Sequence, residues 1–158
     1  MFRTPSHLPE SSRAQIAESL NARLADSLDL YSQIKAAHWN IKGPLFSSLH
    51  PLFDSFATDV AGYMDEMAER LVTLGGLTRG TVRLAAAASQ LDEYPIDTVR
   101  DLEHASHLAV RIESWLSGMR ETRQIAESKQ DTDTVDMLTV MITAFEKHAW
   151  FLRATLES

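Results

Sequence analysis

The sequence contains no cysteine. Disulfides, thiolate metal sites and thiol catalysis are therefore excluded, and any bound metal must be held by nitrogen and oxygen ligands. The sequence also lacks an apolar run of the roughly 18 residues that a membrane-spanning helix needs. Its first residues, MFRTPSHLPESS, show neither an apolar core segment nor a cleavage signature, so we expect no export and a cytoplasmic location.

Positive charge is also scarce, because 15 Lys and Arg residues face 22 Asp and Glu residues, for a net charge of −7. A large phosphate-binding surface needs clustered Lys and Arg side chains. Near the N-terminus only Arg3 and Arg13 are basic, and the chain ends in ATLES, so neither end carries a basic tail. We therefore expect no strong direct binding to DNA and no binding to membranes.

The length of 158 residues predicts one domain, residues 1–158, in which residues 1–9 form a short N-terminal extension. The 44% hydrophobic and 23% charged content is typical of a globular protein. Apolar residues recur at steps of three and four over residues 10–40, which predicts a long amphipathic helix. They are Ile16, Leu20, Leu24, Leu28, Tyr31 and Ile34. Gly43 and Pro44 interrupt this pattern.

Three further long helices follow from the same signals. The second begins near Ser47 or Ser48 and ends near Leu74, before two glycines. Residues 77–94 form a crossover with a short helix at 82–88, and the third helix spans about 96–124. After an acidic turn at 126–134, Asp133 and Asp136 resemble an N-cap pair for a fourth helix, about 134–156. This order predicts an all-α, ferritin-like four-helix bundle with a short helix in the long crossover between the second and third helices.

Two imidazoles and three carboxylates lie close together in the first half of the chain. They are His38, His50, Asp54, Asp65 and Glu69. Imidazole and carboxylate both bind iron, so this set suggests an iron site. The Glu-x-x-His pairs that hold two metals inside many ferritin-like bundles are absent from the sequence, so we expect no site of that kind.

The spacing of these residues predicts a site shared between two copies of the chain. On a helix at about 100° per residue, His50, Asp54, Asp65 and Glu69 fall on one stripe, within about 100°. His50 and Asp65 would nevertheless be about 22 Å apart along the helix axis, too far for one metal. A second copy packed antiparallel across a two-fold axis would bring the two half-sites together. His38 points along the apolar face of the first helix, toward the start of the second.

The motifs AHWNIKGPLF, LHPLFD and MDEMAER together resemble the Dps family, the miniferritins known as DNA-binding proteins from starved cells. The similarity extends over essentially the whole chain, including the two glycines, the Tyr-Pro start of the third helix and HAWFL near the end. It implies a hollow dodecamer of 23 symmetry, which oxidises Fe(II), usually preferring hydrogen peroxide to dioxygen, and stores ferric oxyhydroxide. It also implies that the five residues above are the catalytic metal ligands, at a two-fold dimer interface.

Other residues carry weaker signals. By the same resemblance, Trp39 would lie beside the iron and absorb oxidising equivalents, and it can equally be an aromatic anchor of the dimer. The resemblance also implies that acidic residues of this region line a three-fold entry pore, with helix capping and solubility as the alternative. They are Glu127, Asp131, Asp133 and Asp136. We interpret Lys35 as a surface lysine, with electrostatic tuning of the site as the alternative. His104 and His107 lie three residues apart and could bind a surface metal, but we interpret them as surface or packing histidines. We interpret His148 as structural.

The sequence thus predicts a ferroxidase and iron-storage cage. The alternatives are a nucleoid-binding particle in which iron handling is secondary, and an all-α scaffold without a metal role. Zinc is a possible competitor for the same ligands, since imidazole and carboxylate also suit Zn²⁺.

Overall fold

The computed structural model describes residues 1–157, and Ser158, the last residue of the predicted domain, lies outside them. The described chain forms five helices. They are α1 (Glu10–Asn40), α2 (Phe46–Thr73), α3 (Val82–Ala88), α4 (Asp101–Ser128) and α5 (Thr132–Leu156). Helix α1 packs against α2 and α4, α4 packs against α5, and the short α3 lies in the crossover against α1. The predicted all-α bundle with a short helix in the crossover is confirmed.

Helix α4 begins later than the sequence predicted, at Asp101 instead of residue 96. The reason is a pairing with the link between α1 and α2. Lys42 donates its N–H to the Val99 carbonyl (2.9 Å), and its own carbonyl accepts from the Asp101 N–H (3.0 Å). The Val99 carbonyl and the Asp101 N–H are bonded to Lys42, so they are unavailable for the hydrogen bonds of a helix that starts at residue 96.

The acidic turn before α5 is also shorter than predicted, because α4 continues to Ser128. The prediction of Asp133 and Asp136 as the N-cap pair of α5 was wrong. The cap is Asp131, whose carboxylate accepts from the Thr134 N–H (3.2 Å) and the Thr134 hydroxyl (2.5 Å). A carboxylate in this position satisfies a backbone donor that the first turn of a helix leaves free.

The core lies between the four long helices and is built on large aromatic side chains. Trp115, Phe53, Phe56 and Phe145 are fully buried there. The indole of Trp115 donates to the hydroxyl of Ser27, itself buried, at 2.8 Å. A buried indole N–H without a partner would be costly, so this bond ties the interior of α4 to α1. Within residues 1–157, no helix combines the length and the apolar content needed to cross a membrane.

His104 is the one fully buried histidine of the described chain. The Tyr94 hydroxyl and the His104 Nδ1 share a hydrogen bond of 2.6 Å, and burial raises the pKa of Tyr94, which keeps the hydroxyl protonated. Burial also lowers the pKa of His104 below its usual 6.5. The folded protein therefore holds this imidazole neutral at pH values where the unfolded chain protonates it.

We therefore expect stability to fall as pH decreases through about 6.5, since the unfolded state then binds more protons than the folded state. His104→Gln removes this titration and keeps an acceptor for Tyr94, so it should lose less stability than wild type between about pH 7.5 and 5.5. Urea midpoints at fixed protein concentration measure the difference. His104→Gln should keep some pH dependence of stability, because burial also lowers the pKa of His148. Equal pH dependence in both proteins would contradict the assignment to His104.

Candidate metal site

The candidate site is positioned by the tight corner between α1 and α2. Gly43 adopts φ +147°, a conformation that favours glycine, and a Cβ atom there would overlap the Asp101 carboxylate. That carboxylate accepts the Leu45 N–H at 2.7 Å, which lowers the pKa of Asp101. The start of α4 therefore fixes the corner, and with it the last turn of α1 and the first turn of α2.

His38 and His50 face each other across this corner. The Nδ1–H of His38 donates to the His50 carbonyl (2.8 Å), and the Nδ1–H of His50 donates to the His38 carbonyl (2.9 Å). The two rings stack with centroids 3.7 Å apart. Because a carbonyl can only accept, each Nδ1 must carry a proton, so in its neutral form each ring has its lone pair on Nε2. This is the tautomer in which a histidine can bind a metal through Nε2, and carbonyl partners of this kind orient metal-binding histidines.

Asp54 adds a carboxylate to this pair, one turn after His50 on α2. Its Oδ1 lies 3.9 Å from His38 Nε2 and 2.6 Å from Lys35 Nζ. The hydrogen bond from Lys35 lowers the pKa of Asp54, which favours the carboxylate form. One chain thus brings two imidazoles and one carboxylate together.

Asp65 and Glu69 remain apart from this group. Both are exposed on α2, which is a continuous helix from Phe46 to Thr73. Asp65 lies 15 residues after His50 on that helix, or about 22 Å along its axis. Within residues 1–157, neither the trio of His38, His50 and Asp54 nor any other group of three or more His, Asp and Glu side chains is arranged to hold a metal by itself. A complete five-residue site would therefore need ligands from a second chain.

Trp39 follows His38 and is 70% exposed. The Lys35 ammonium lies 5.8 Å from the centroid of its ring, a distance compatible with a cation–π contact. An indole this exposed is available to a neighbouring chain as well as to the site. The geometry is compatible with both roles predicted for Trp39.

The four predicted pore residues separate into two kinds. Glu127, Asp133 and Asp136 are exposed. Asp131 is fully buried, caps α5 and accepts a 2.6 Å hydrogen bond from Arg70 on α2. Its carboxylate is therefore engaged within the bundle, and the pore proposal rests on the other three.

Sequence reasoning underestimated Lys35. Its side chain is only 18% exposed and its ammonium pairs with Asp54, a contact that the sequence analysis did not predict. The signal was present, because Lys35 lies three residues before His38 and so on the same side of α1.

The role of Asp101 had no such signal, since it depends on contacts between segments 56 residues apart. His148 was predicted to be structural, and it pairs with Asp59 at 2.7 Å between α5 and α2.

Comparison with known protein families gives a match to the ferritin-like domain over residues 17–158. Among curated relatives, the DNA protection during starvation protein of Agrobacterium fabrum is 32% identical over 98% of this chain and 96% of its own length. The protein of the same name from Mycolicibacterium smegmatis is 35% identical over 96% of this chain and 82% of its own length.

Solved structures show the same relationship. The tetragonal form of Mycobacterium smegmatis Dps superposes with a TM-score of 0.94 at 29% identity, covering 100% of this chain and 95% of that one. The Dps protein of Vibrio cholerae O1 gives 0.91 at 27% identity, covering 99% of this chain and 98% of that one. The latter is described as a member of a broad superfamily of ferritin-like diiron-carboxylate proteins.

The corner geometry predicts that Gly43→Ala destabilises the fold by about 1–3 kcal/mol, through backbone strain and the clash with Asp101. Gly80→Ala is the matched control, because its added methyl group would meet only the side chains of Leu24 and Leu28, at 3.3 and 3.9 Å. Urea denaturation should show a much larger loss for Gly43→Ala. Equal midpoints for the two variants would show that Asp101 does not fix the corner.

Proposed function

Because the chain belongs to the Dps family of ferritin-like proteins, we propose that it is an iron-storing miniferritin that oxidises Fe(II) at sites shared between subunits. The family places it among proteins named for DNA protection during starvation. The diiron-carboxylate superfamily to which a structural relative belongs supports iron as the metal. The proposed ligands are His38, His50 and Asp54 of one chain, with Asp65 and Glu69 of its partner.

The paired imidazoles carry this proposal. Both Nδ1 atoms are occupied by backbone carbonyls, so both Nε2 lone pairs are available to a metal. Nitrogen and oxygen donors together suit iron. A pair of histidines serving only to join two helices would not need a neighbouring carboxylate, yet Asp54 lies 3.9 Å from His38 Nε2.

A two-fold dimer completes the ligand set. In an isologous interface the same surface meets its own copy, so His50 and Asp54 of one α2 can face Asp65 and Glu69 of the other. Each dimer then contains two equivalent sites. The exposure of Asp65 and Glu69 supports this arrangement, since both carboxylates are accessible to a partner. We propose a closed dodecamer of 23 symmetry as the complete assembly.

Fe(II) is the substrate in this proposal. Two Fe(II) ions each give one electron to hydrogen peroxide, whose O–O bond breaks, and two protons complete two water molecules. The three carboxylates stabilise the higher charge of Fe(III), and the imidazoles hold the ion in place. The ferric product then collects as mineral inside the cage. Consuming iron and peroxide together would protect DNA without contact, and dioxygen is the alternative oxidant.

Entry of iron would be favoured by exposed acidic residues at the α4–α5 turn. We propose that Glu127, Asp133 and Asp136 meet their copies around a three-fold axis. A ring of carboxylates raises the local concentration of cations at a narrow opening. Asp131 contributes indirectly, by capping α5 and binding Arg70.

The proposed oxidation is tested by stopped-flow absorbance with Fe(II) and hydrogen peroxide. Wild type should oxidise iron far faster than buffer. The double variant Asp65→Ala/Glu69→Ala should lose at least about tenfold of that rate, because losing even a hydrogen-bonding partner of a metal ligand costs about 10- to 100-fold. A charge-matched control is Asp97→Ala/Glu121→Ala, which removes two exposed carboxylates elsewhere. Oxidation no faster than buffer, or equal rates for both double variants, would refute the site.

DNA contact is tested by gel shift at physiological salt. The net charge of −7 predicts no retardation of duplex DNA by the assembled protein. A mass measurement on the same sample establishes the assembly. Retardation that weakens with added salt would favour the nucleoid-binding alternative.

A further inference from the structure

The Lys35 ammonium contacts the same carboxylate oxygen of Asp54 that lies near His38. Its Nζ is 2.6 Å from Asp54 Oδ1, and His38 Nε2 is 3.9 Å from the same oxygen. The lysine side chain is only 18% exposed, whereas the Asp54 side chain is 55% exposed. The lysine side chain is thus largely covered, and its ammonium is paired with Asp54.

We propose that Lys35 is a specificity-determining residue of the metal site, whose ammonium is displaced from Asp54 when a metal binds. This inference rests on the proposed function. It adds that the Lys35 ammonium competes with the metal for the Asp54 carboxylate. With three carboxylates and one ammonium, the completed site carries two negative charges instead of three. Lys35 thus weakens the binding of every cation, and it weakens trivalent ions most, because Coulomb energy scales with charge.

Lys35 would affect the two oxidation states of iron unequally. An oxidation site that bound Fe(III) too tightly would retain its product and stop turning over. A lysine that remains near the site after its displacement from Asp54 reduces retention of the trivalent product more than capture of the divalent substrate. Lys35 would therefore favour release of Fe(III) to the cage interior.

The test uses redox-inert ions, so that it does not depend on turnover. Co²⁺ affinity of the assembled protein is measured by calorimetry and by the visible absorbance of the ion, and Tb³⁺ affinity by luminescence. Lys35→Met keeps the apolar stem and removes the charge. It should bind Co²⁺ about fivefold more tightly, the upper end for a partly exposed ion pair. The affinity for Tb³⁺ should increase more, about tenfold, because the change in Coulomb energy is proportional to the charge of the ion.

Two controls separate charge from structure. Lys35→Arg keeps the cation and should bind both ions as wild type does. Lys42→Met removes an exposed lysine seven positions away on the α1–α2 link and should change little. If Lys35→Met fails to assemble, Lys35→Gln replaces it with the same expected gain.

The outcomes distinguish this inference from the function on which it rests. Unchanged or weaker Co²⁺ binding in Lys35→Met, or an equal gain for both ions, overturns the role of Lys35 and leaves the site intact. Wild-type Co²⁺ binding that survives Asp65→Ala/Glu69→Ala overturns the shared site itself, and the inference falls with it. Tighter binding in Lys35→Met, larger for Tb³⁺ and absent in Lys35→Arg, supports the inference.

Discussion

The two reciprocal hydrogen bonds between His38 and His50 join the end of α1 to the start of α2, and the candidate site depends on them. They fix both ring orientations and both tautomers with backbone carbonyls, which do not change protonation state. The corner that allows these bonds is held by Gly43 and Asp101. The chemistry of two imidazoles therefore depends on a helix, α4, that contributes no proposed ligand.

The proposed activity depends on charged side chains at this corner and farther along α2. Asp54 is already paired with Lys35 within the chain, while Asp65 and Glu69 are exposed about 22 Å away along the same helix. In the proposed dimer, the Lys35–Asp54 pair of one chain and the Asp65 and Glu69 carboxylates of its partner would lie in one site. The same surface would then form the dimer and complete the metal centre, so that oxidation would occur only in assembled protein.

Much of the fold could be predicted from the sequence because its signals are local. The periodicity of α1, the Gly-Pro interruption and the short helix at 82–88 depend on residues near one another in the chain, and their predicted bounds match the structure. The predictions that failed involve long-range contacts. The start of α4 depends on pairing with Lys42, and the N-cap of α5 is Asp131, whose carboxylate also binds Arg70.

The sequence by itself determined the chemical types of the proposed ligands, the stripe that four of them share on α2 and the net negative charge. It did so because the geometry of a helix follows directly from residue spacing. Only the tertiary structure decided which nitrogen of each imidazole is available, and that Lys35 pairs with Asp54. These features depend on distances between helices, and those distances are set by packing around Trp115 and by the corner at Gly43.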